Sequence, residues 1–237
     1  MKMRDKRTVQ IEAKQKHNEE LKAAQARRRS EPLLERTEPT KLEKPTILIV
    51  CEGKNTEPSY FKQFKLSSAK IKALGDGRNT ISLVKQAIVL NEQDSYDQVW
   101  CVFDKDEFDA DDFNAAVQMA AKNNFGAAYS NQAFEYWLIL HFEDHQGGAM
   151  HSSEYETTIN GYINPLGSSY EGSGNKIVTQ DFFDILNDID QKTNQSRAIL
   201  AIQRAKRNFN RSHQGNPAAE ESSTTVFRLV EEIMKFI

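Results

Sequence analysis

Cysteine is scarce in this 237-residue chain: only Cys51 and Cys101 are present, and their spacing fits neither a metal site nor a disulfide framework. Each lies at or within a short apolar run typical of a buried strand, which favours a reducing compartment. No run of about 18 apolar residues is present, so the sequence predicts no transmembrane helix. The N-terminal segment also lacks the apolar core of a signal peptide. We therefore expect a cytoplasmic protein with no membrane partner.

Several catalytic signatures are missing as well. The sequence contains no Walker A loop, no glycine-rich dinucleotide loop and no arrangement that suggests a Ser/His/Asp triad. An ATPase function would therefore need a partner chain.

Large apolar residues are nearly absent from residues 1–44, and the charge of this arm differs from that of the rest of the chain. The arm holds 13 Lys/Arg and 8 Asp/Glu, whereas residues 45–237 hold 18 and 26. Residues 8–29 are good helix formers without an apolar stripe, so a helix there cannot bury a face by itself. We expect a partly disordered arm or a helix that docks on something else. Its positive charge would suit nucleic acid, and the alternative is an ordinary solvated helix.

From residue 45 onward, short apolar runs alternate with helical patterns. The predicted strands cover residues 46–51, 70–74, 98–103 and 126–130. The predicted helices between and after them cover residues 58–65, 81–90, 111–122 and 134–142. This alternation predicts an α/β fold with a mainly parallel sheet and helices on both faces.

Beyond about residue 145 the pattern changes to Gly/Ser-rich loops that separate helical segments. These segments lie near residues 153–163, 178–189, 194–208 and 222–236, and no further strand is expected. The sequence thus predicts three parts: a charged N-terminal arm over 1–44, an α/β domain over 45–145, and a helical extension over 146–237 that packs on that domain.

Acidic motifs directly follow the first and third predicted strands. Glu52-Gly53 ends the first strand, and Asp104-Lys105-Asp106 ends the third. The carboxyl ends of parallel strands share one edge of a sheet, and ligands bind there. Alternate residues of an extended segment point the same way, so Asp104 and Asp106 can face one ion. Carboxylates with water and substrate phosphate suit Mg²⁺, or Mn²⁺, so we predict a metal site; the alternative is a set of ordinary loop carboxylates.

Four segments of the chain resemble a known family. The order strand–Glu-Gly and then strand–Asp-x-Asp resembles the Toprim fold of topoisomerases, primases and related nucleases. More closely, the RloB family is similar in the segments ILIVCEGKNTEPSYFKQF, VWCVFDKDEFDADDFNAA, SNQAFEYWLILHFED and STTVFRLVEEI. This family is found beside restriction and abortive-infection loci, often next to an ATPase. The resemblance implies a Toprim-type nuclease that acts in phage defence.

The chain departs from the family pattern at two places. Gln132 stands where the family usually has proline after Ser-Asn. An acidic insert, AAEES, separates Asn216-Pro217 from Ser223, where the family tends to run on directly. Neither departure touches the predicted carboxylate site, but the second puts the local geometry near residues 216–223 in doubt.

The resemblance also implies roles for Glu135 and Lys176. Related Toprim sites use a downstream acidic residue for a second metal, and Glu135 in SNQAFEYW matches that place. The alternative is a first-turn glutamate favoured by the helix dipole. Those enzymes also use a basic residue in the site, for which Lys176 after the GSSYEGSGN loop is the candidate. The alternative is an ordinary solvated lysine.

Other polar residues have two open interpretations each. Glu57 either joins the site or caps the following helix. Ser130 and Asn131 either cap helix 134–142 or help to bind metal or phosphate. His141 is either satisfied by the last carbonyls of that helix or acts as a base. Lys54 and Lys105 are either phosphate ligands or surface residues. Asp109, Asp111 and Asp112 are expected to cap the helix at 111.

Two hypotheses for function follow. In the first, the protein is a Mg²⁺-dependent nuclease that hydrolyses phosphodiesters of DNA or RNA with a partner ATPase, and Glu52 acts as general acid/base or shares the ion. In the second, it is a non-catalytic Toprim module that binds or regulates a partner ATPase or nucleic acid. The sequence leaves homo-oligomerisation open.

Overall fold

The computed structural model describes residues 14–23, 45–73, 80–105, 109–131, 133–145, 150, 152–213, 215–220 and 222–237. The chain divides into two compact units, Met1–Glu43 and Lys44–Ile237. In the first unit, residues 14–23 form helix α1, and their side chains are exposed. Within the described residues, no helix has the length and apolar character needed to cross a membrane.

The second unit contains a five-stranded sheet flanked by helices. Up to residue 145 its elements are β1 (Ile47–Cys51), α2 (Thr56–Gln63), β2 (Ala69–Ala73), α3 (Thr80–Asp94), β3 (Gln98–Asp104), α4 (Ala110–Lys122), β4 (Gly126–Asn131) and α5 (Glu135–Ile139). Strands β1 to β4 pair in parallel in the order β2-β1-β3-β4. This arrangement confirms the predicted α/β class.

The sheet is built around an apolar central strand. All five residues of β1 are buried, as expected for a strand with neighbours on both sides and helices over the sheet. The neighbouring edge strand β2 instead exposes Lys70 and Lys72, which discourages pairing with another chain. On β3, Phe103 packs against Phe113 of α4, with ring centroids 5.4 Å apart.

The remaining elements are α6 (Ser152–Ile163), α7 (Gln180–Asn187), β5 (Ile189–Asp190), β6 (Gln195–Ser196), α8 (Arg197–Ser212), β7 (Ser223–Thr224) and α9 (Val226–Met234). The expectation of no further strand in this half is wrong. Strands β5 and β6 form an antiparallel pair, and β7 joins the main sheet antiparallel to β4. Hydrogen bonding explains β7: the backbone N–H of Thr225 donates to the carbonyl of Tyr129 at 2.8 Å.

The acidic insert is part of this packing. Glu220 is fully buried, and its carboxylate accepts a hydrogen bond from the Tyr129 hydroxyl at 2.7 Å. The other Glu220 oxygen lies 2.5 Å from Nδ1 of His213. The insert therefore places a carboxylate beneath β4 and β7, where it pairs with two side chains.

Candidate carboxylate metal site

Glu52 and Asp104 meet at the carboxyl edge of the sheet, as their positions after β1 and at the end of β3 predict. The backbone N–H of Glu52 donates to the carbonyl of Val102 at 2.9 Å, which extends the pairing of the two strands by one residue. The Glu52 carboxylate in turn accepts a hydrogen bond from the backbone N–H of Asp104 at 3.3 Å. The parallel register thus brings residues 52 positions apart into direct contact.

Asp104 interacts electrostatically with Glu52, Glu57 and Glu135, and these four residues are called the acidic cluster below. Its Oδ2 accepts a hydrogen bond from the backbone N–H of Phe134 at 3.0 Å, which ties β3 to the segment that enters α5. Its Oδ1 is buried and has no hydrogen-bond partner among the described residues. Burial raises the pKa of Asp104 well above its usual range, and repulsion from Glu57, Glu135 and Glu52 adds to this effect. A buried acceptor without a donor is costly unless a cation or ligand satisfies it.

Asp106, the second aspartate of the predicted Asp-x-Asp pair, lies outside the described residues. Its role as a metal ligand therefore remains a prediction. Among the residues that are described, no three His, Cys, Asp or Glu side chains form a group ready to hold a metal ion. The described carboxylates are joined instead through backbone N–H groups and hydroxyls.

Glu57 is buried at the same edge. It lies in the first turn of α2, whose N-cap residue is Asn55, and it is 5% exposed. Its Oε1 accepts a hydrogen bond from the backbone N–H of Gly53 at 3.3 Å. Burial raises the pKa of Glu57 to about 7, and repulsion from Glu135 contributes in the same direction. Glu57 is thus a first-turn acid that bonds back to Gly53 and not the N-cap of α2, and its role in a metal site stays a prediction.

Gly53 allows the Glu57 carboxylate to lie close to the backbone at the end of β1. A Cβ at Gly53 would lie 2.2 Å from Oε2 of Glu57, so any side chain there would displace the carboxylate. The missing side chain at Gly53 therefore leaves room for Glu57.

Glu135 is the first residue of α5 and is 8% exposed. Its Oε1 accepts a hydrogen bond from the hydroxyl of Tyr170 at 2.7 Å. The Nζ of Lys176 lies 3.9 Å from the same oxygen. The two predicted site residues Glu135 and Lys176 are therefore neighbours, although 41 positions separate them in the sequence.

Lys176 and Tyr170 both come from the segment between α6 and α7. The Lys176 side chain is 46% exposed, so its ammonium group reaches the cluster from the solvent side. Tyr170 is 1% exposed, and sequence reasoning did not select it. A tyrosine within a Gly/Ser-rich loop carries no local signal of its role, because that role depends on residues distant in the sequence.

Two of the other candidate residues, Ser130 and Asn131, lie in a strand and not at the start of a helix. The capping role predicted for Ser130 and Asn131 is wrong, because both belong to β4 and the N-cap of α5 is Phe134. The Ser130 hydroxyl lies 3.1 Å from that of Thr224, and the Asn131 amide donates to the carbonyl of Pro217 at 3.0 Å. These side chains hold the C-terminal segment against the sheet.

His141 is a core residue. Its Nδ1 lies 3.0 Å from the carbonyl of Trp137, so this nitrogen carries the proton and donates to the helix end as predicted. Burial lowers the pKa of His141 to about 3, which keeps the ring neutral. Its ring contacts Trp137 and Tyr60 edge-on. These contacts favour a structural role over that of a general base.

Three further predictions concern residues around the acidic edge. Asp109 is confirmed as the cap of α4, since its carboxylate accepts from the backbone N–H groups of Asp111 and Asp112 at 2.8 and 3.4 Å. Lys54 is exposed. Lys105 is half-buried, and its backbone N–H donates to the carbonyl of Ser130 at 2.8 Å. A phosphate-binding role for either lysine remains a prediction.

The described geometry defines an α/β protein with a mainly parallel sheet and a cluster of buried carboxylates at the carboxyl edge of its strands. The family model for RloB-like protein matches residues 47–233, which include the sheet, the acidic cluster and most of the C-terminal extension. The chain therefore belongs to the RloB-like protein family. The corresponding comparisons found no match among curated proteins and none among solved structures.

Proposed function

We propose that this RloB-like protein is a metal-dependent nuclease that hydrolyses phosphodiester bonds of DNA or RNA, acting in the cytoplasm in phage defence with a partner ATPase. The observation that carries the proposal is the buried Oδ1 of Asp104, which has no hydrogen-bond partner among the described residues. Repulsion from Glu57, Glu135 and Glu52 acts on Asp104, and a bound cation would relieve it.

The residues present fit Mg²⁺ or Mn²⁺, because carboxylate oxygens are the preferred ligands of these ions. Asp104 and Glu52 would hold the ion together with Asp106, and Glu135 would hold a second ion or share the first. Glu57 lies at the same edge, where its carboxylate bonds to the backbone of Gly53. When bound, such an ion neutralises charge on a phosphate and lowers the pKa of a bound water.

The side chains of this chain supply the rest of the chemistry. Glu52, held through the backbone N–H of Asp104, would take a proton from the attacking water or give one to the leaving oxygen. Lys176, half-exposed beside Glu135, would pair with a non-bridging oxygen of the phosphate. Both groups would act next to the partly buried acidic edge, where charge interactions are stronger than in bulk solvent.

The test is a cleavage assay on panels of DNA and RNA with Mg²⁺ or Mn²⁺, run with and without the partner ATPase. We expect metal-dependent cleavage by the wild type and none by Asp104→Asn. The matched control is Asp109→Asn, because asparagine is also a good N-cap and this position lies on the exposed start of α4. A wild type that is as inert as Asp104→Asn on every substrate, while it forms a stable complex with the ATPase, would support the non-catalytic module instead.

A further inference from the structure

Glu135 is held by the C-terminal extension through one of its two oxygens. The Tyr170 hydroxyl donates to Oε1 at 2.7 Å, and Nζ of Lys176 lies 3.9 Å from the same atom. Both contacts approach Oε1, so the C-terminal extension anchors this carboxylate through that oxygen. The backbone N–H of the preceding residue, Phe134, donates to Asp104. This hydrogen bond holds the backbone next to Glu135 against the acidic edge.

Tyr170 is rigidly placed for this contact. The Asn160 side chain on α6 forms two hydrogen bonds with the Tyr170 backbone. The N–H of Tyr170 donates to Asn160 Oδ1 at 2.8 Å, and the Asn160 amide donates to the Tyr170 carbonyl at 2.7 Å. The ring is buried against Phe182, with centroids 5.8 Å apart. Because the backbone is hydrogen-bonded and the ring is packed, the Tyr170 hydroxyl has little conformational freedom. A side chain held in this way can orient a neighbouring ligand residue.

Thr56 continues the chain of hydrogen bonds. Its Oγ1 lies 3.2 Å from the Tyr170 hydroxyl oxygen. The Tyr170 hydroxyl donates its one proton to Glu135, so the Thr56 hydroxyl is the donor to Tyr170. Thr56 is the first residue of α2 and directly precedes Glu57. The path from Thr56 through Tyr170 to Glu135 therefore connects the turn after β1 with the start of α5.

We propose that Tyr170 is a positioning residue for the acidic site: its hydroxyl, supported by Thr56, holds the Glu135 carboxylate in place to bind a cation together with Asp104. This inference rests on the proposed metal-dependent function and deepens it, because the C-terminal extension then completes the site rather than only covering the sheet. Residues that orient metal ligands affect metal affinity about 10–100-fold in other proteins.

The experiment compares the full chain with its Tyr170→Phe variant, which keeps the ring and removes one oxygen. Two quantities are measured: the affinity for Mn²⁺ alone, by calorimetry, and thermal unfolding in the presence of a chelator. We expect Mn²⁺ affinity to fall about 10-fold or more, with a small change in the metal-free melting temperature. The matched control is Tyr129→Phe, which removes a hydroxyl that donates to buried Glu220 at the same 2.7 Å, and its Mn²⁺ affinity should equal that of the wild type.

The outcomes separate this inference from the function on which it rests. Equal Mn²⁺ affinity in Tyr170→Phe and wild type would overturn the positioning role and leave the metal site intact. A loss of Mn²⁺ affinity in Tyr129→Phe as large as that in Tyr170→Phe would also overturn the positioning role. A wild type that binds no Mn²⁺ would overturn the proposed function, and the inference with it. Should Tyr170→Phe fail to fold, Thr56→Val tests the same path. We expect it to weaken Mn²⁺ binding several-fold, and unchanged affinity there would refute the proposal.

Discussion

Replacement of Glu57 by glutamine should change how the stability of the metal-free protein depends on pH. Burial raises the pKa of Glu57 from 4.5 to about 7, so its ionisation is about 3 kcal/mol less favourable in the folded state than in the unfolded state. The folded protein therefore binds more protons than the unfolded chain between these values. Its stability should fall as pH rises from about 4.5 to about 7, and then level off with respect to this group.

Glu57→Gln removes the ionisable group while its amide oxygen can still accept from Gly53. The variant should lose this part of the pH dependence and become more stable than the wild type above pH 7, by up to about 3 kcal/mol. The assay is urea unfolding in a chelator at a series of pH values from about 4 to 8. Glu92→Gln, at an exposed position on α3, is the control. Parallel pH profiles for wild type and Glu57→Gln would show that burial and neighbouring charges do not act on Glu57 as the structure indicates.

Three further changes test the site and the arm. Asp104→Asn should abolish the rise in melting temperature on adding Mg²⁺ while leaving the metal-free fold intact or slightly more stable, and equal shifts in both proteins would remove Asp104 from the site. Glu52→Gln should reduce the cleavage rate about 10²–10⁴-fold with a modest change in Mg²⁺ dependence, and rescue by added metal would identify Glu52 as a ligand only. Deletion of residues 1–44 should leave residues 45–237 folded by circular dichroism and weaken nucleic-acid binding in a salt-dependent manner, whereas an unfolded product would contradict this.

The parts of the fold that depend on neighbouring residues could be predicted from the sequence. Strand β1 follows from a continuous apolar run rich in β-branched residues, and the start of α4 follows from Asp109, whose carboxylate accepts from the backbone N–H groups of Asp111 and Asp112. The meeting of Glu52 with Asp104 also follows, because parallel strands joined by helices bring their carboxyl ends to one edge. These predictions rest on periodicity and local hydrogen bonding, which the order of residues determines directly.

Other features depend on contacts between distant segments. Strand β7 has only two residues and no apolar pattern, and it forms because β4 offers it hydrogen-bond partners. Ser130 and Asn131 look like helix caps in sequence, but in the fold they bond to segments near residues 217 and 224. Local propensity favours one role for such side chains, and long-range packing assigns another.

The composition of the acidic site shows the same division. The sequence by itself determined that Glu52 and Asp104 would lie at the carboxyl ends of two strands of one parallel sheet, and it marked Glu135 as an acid at the start of an apolar segment. Only the tertiary structure decided that Glu57 would be buried beside Gly53, and that Tyr170 would cross from the extension to hold Glu135. Burial and through-space repulsion depend on atoms brought together by the whole chain, so the pKa values of Glu57 and Asp104 are properties of the fold and not of the motifs.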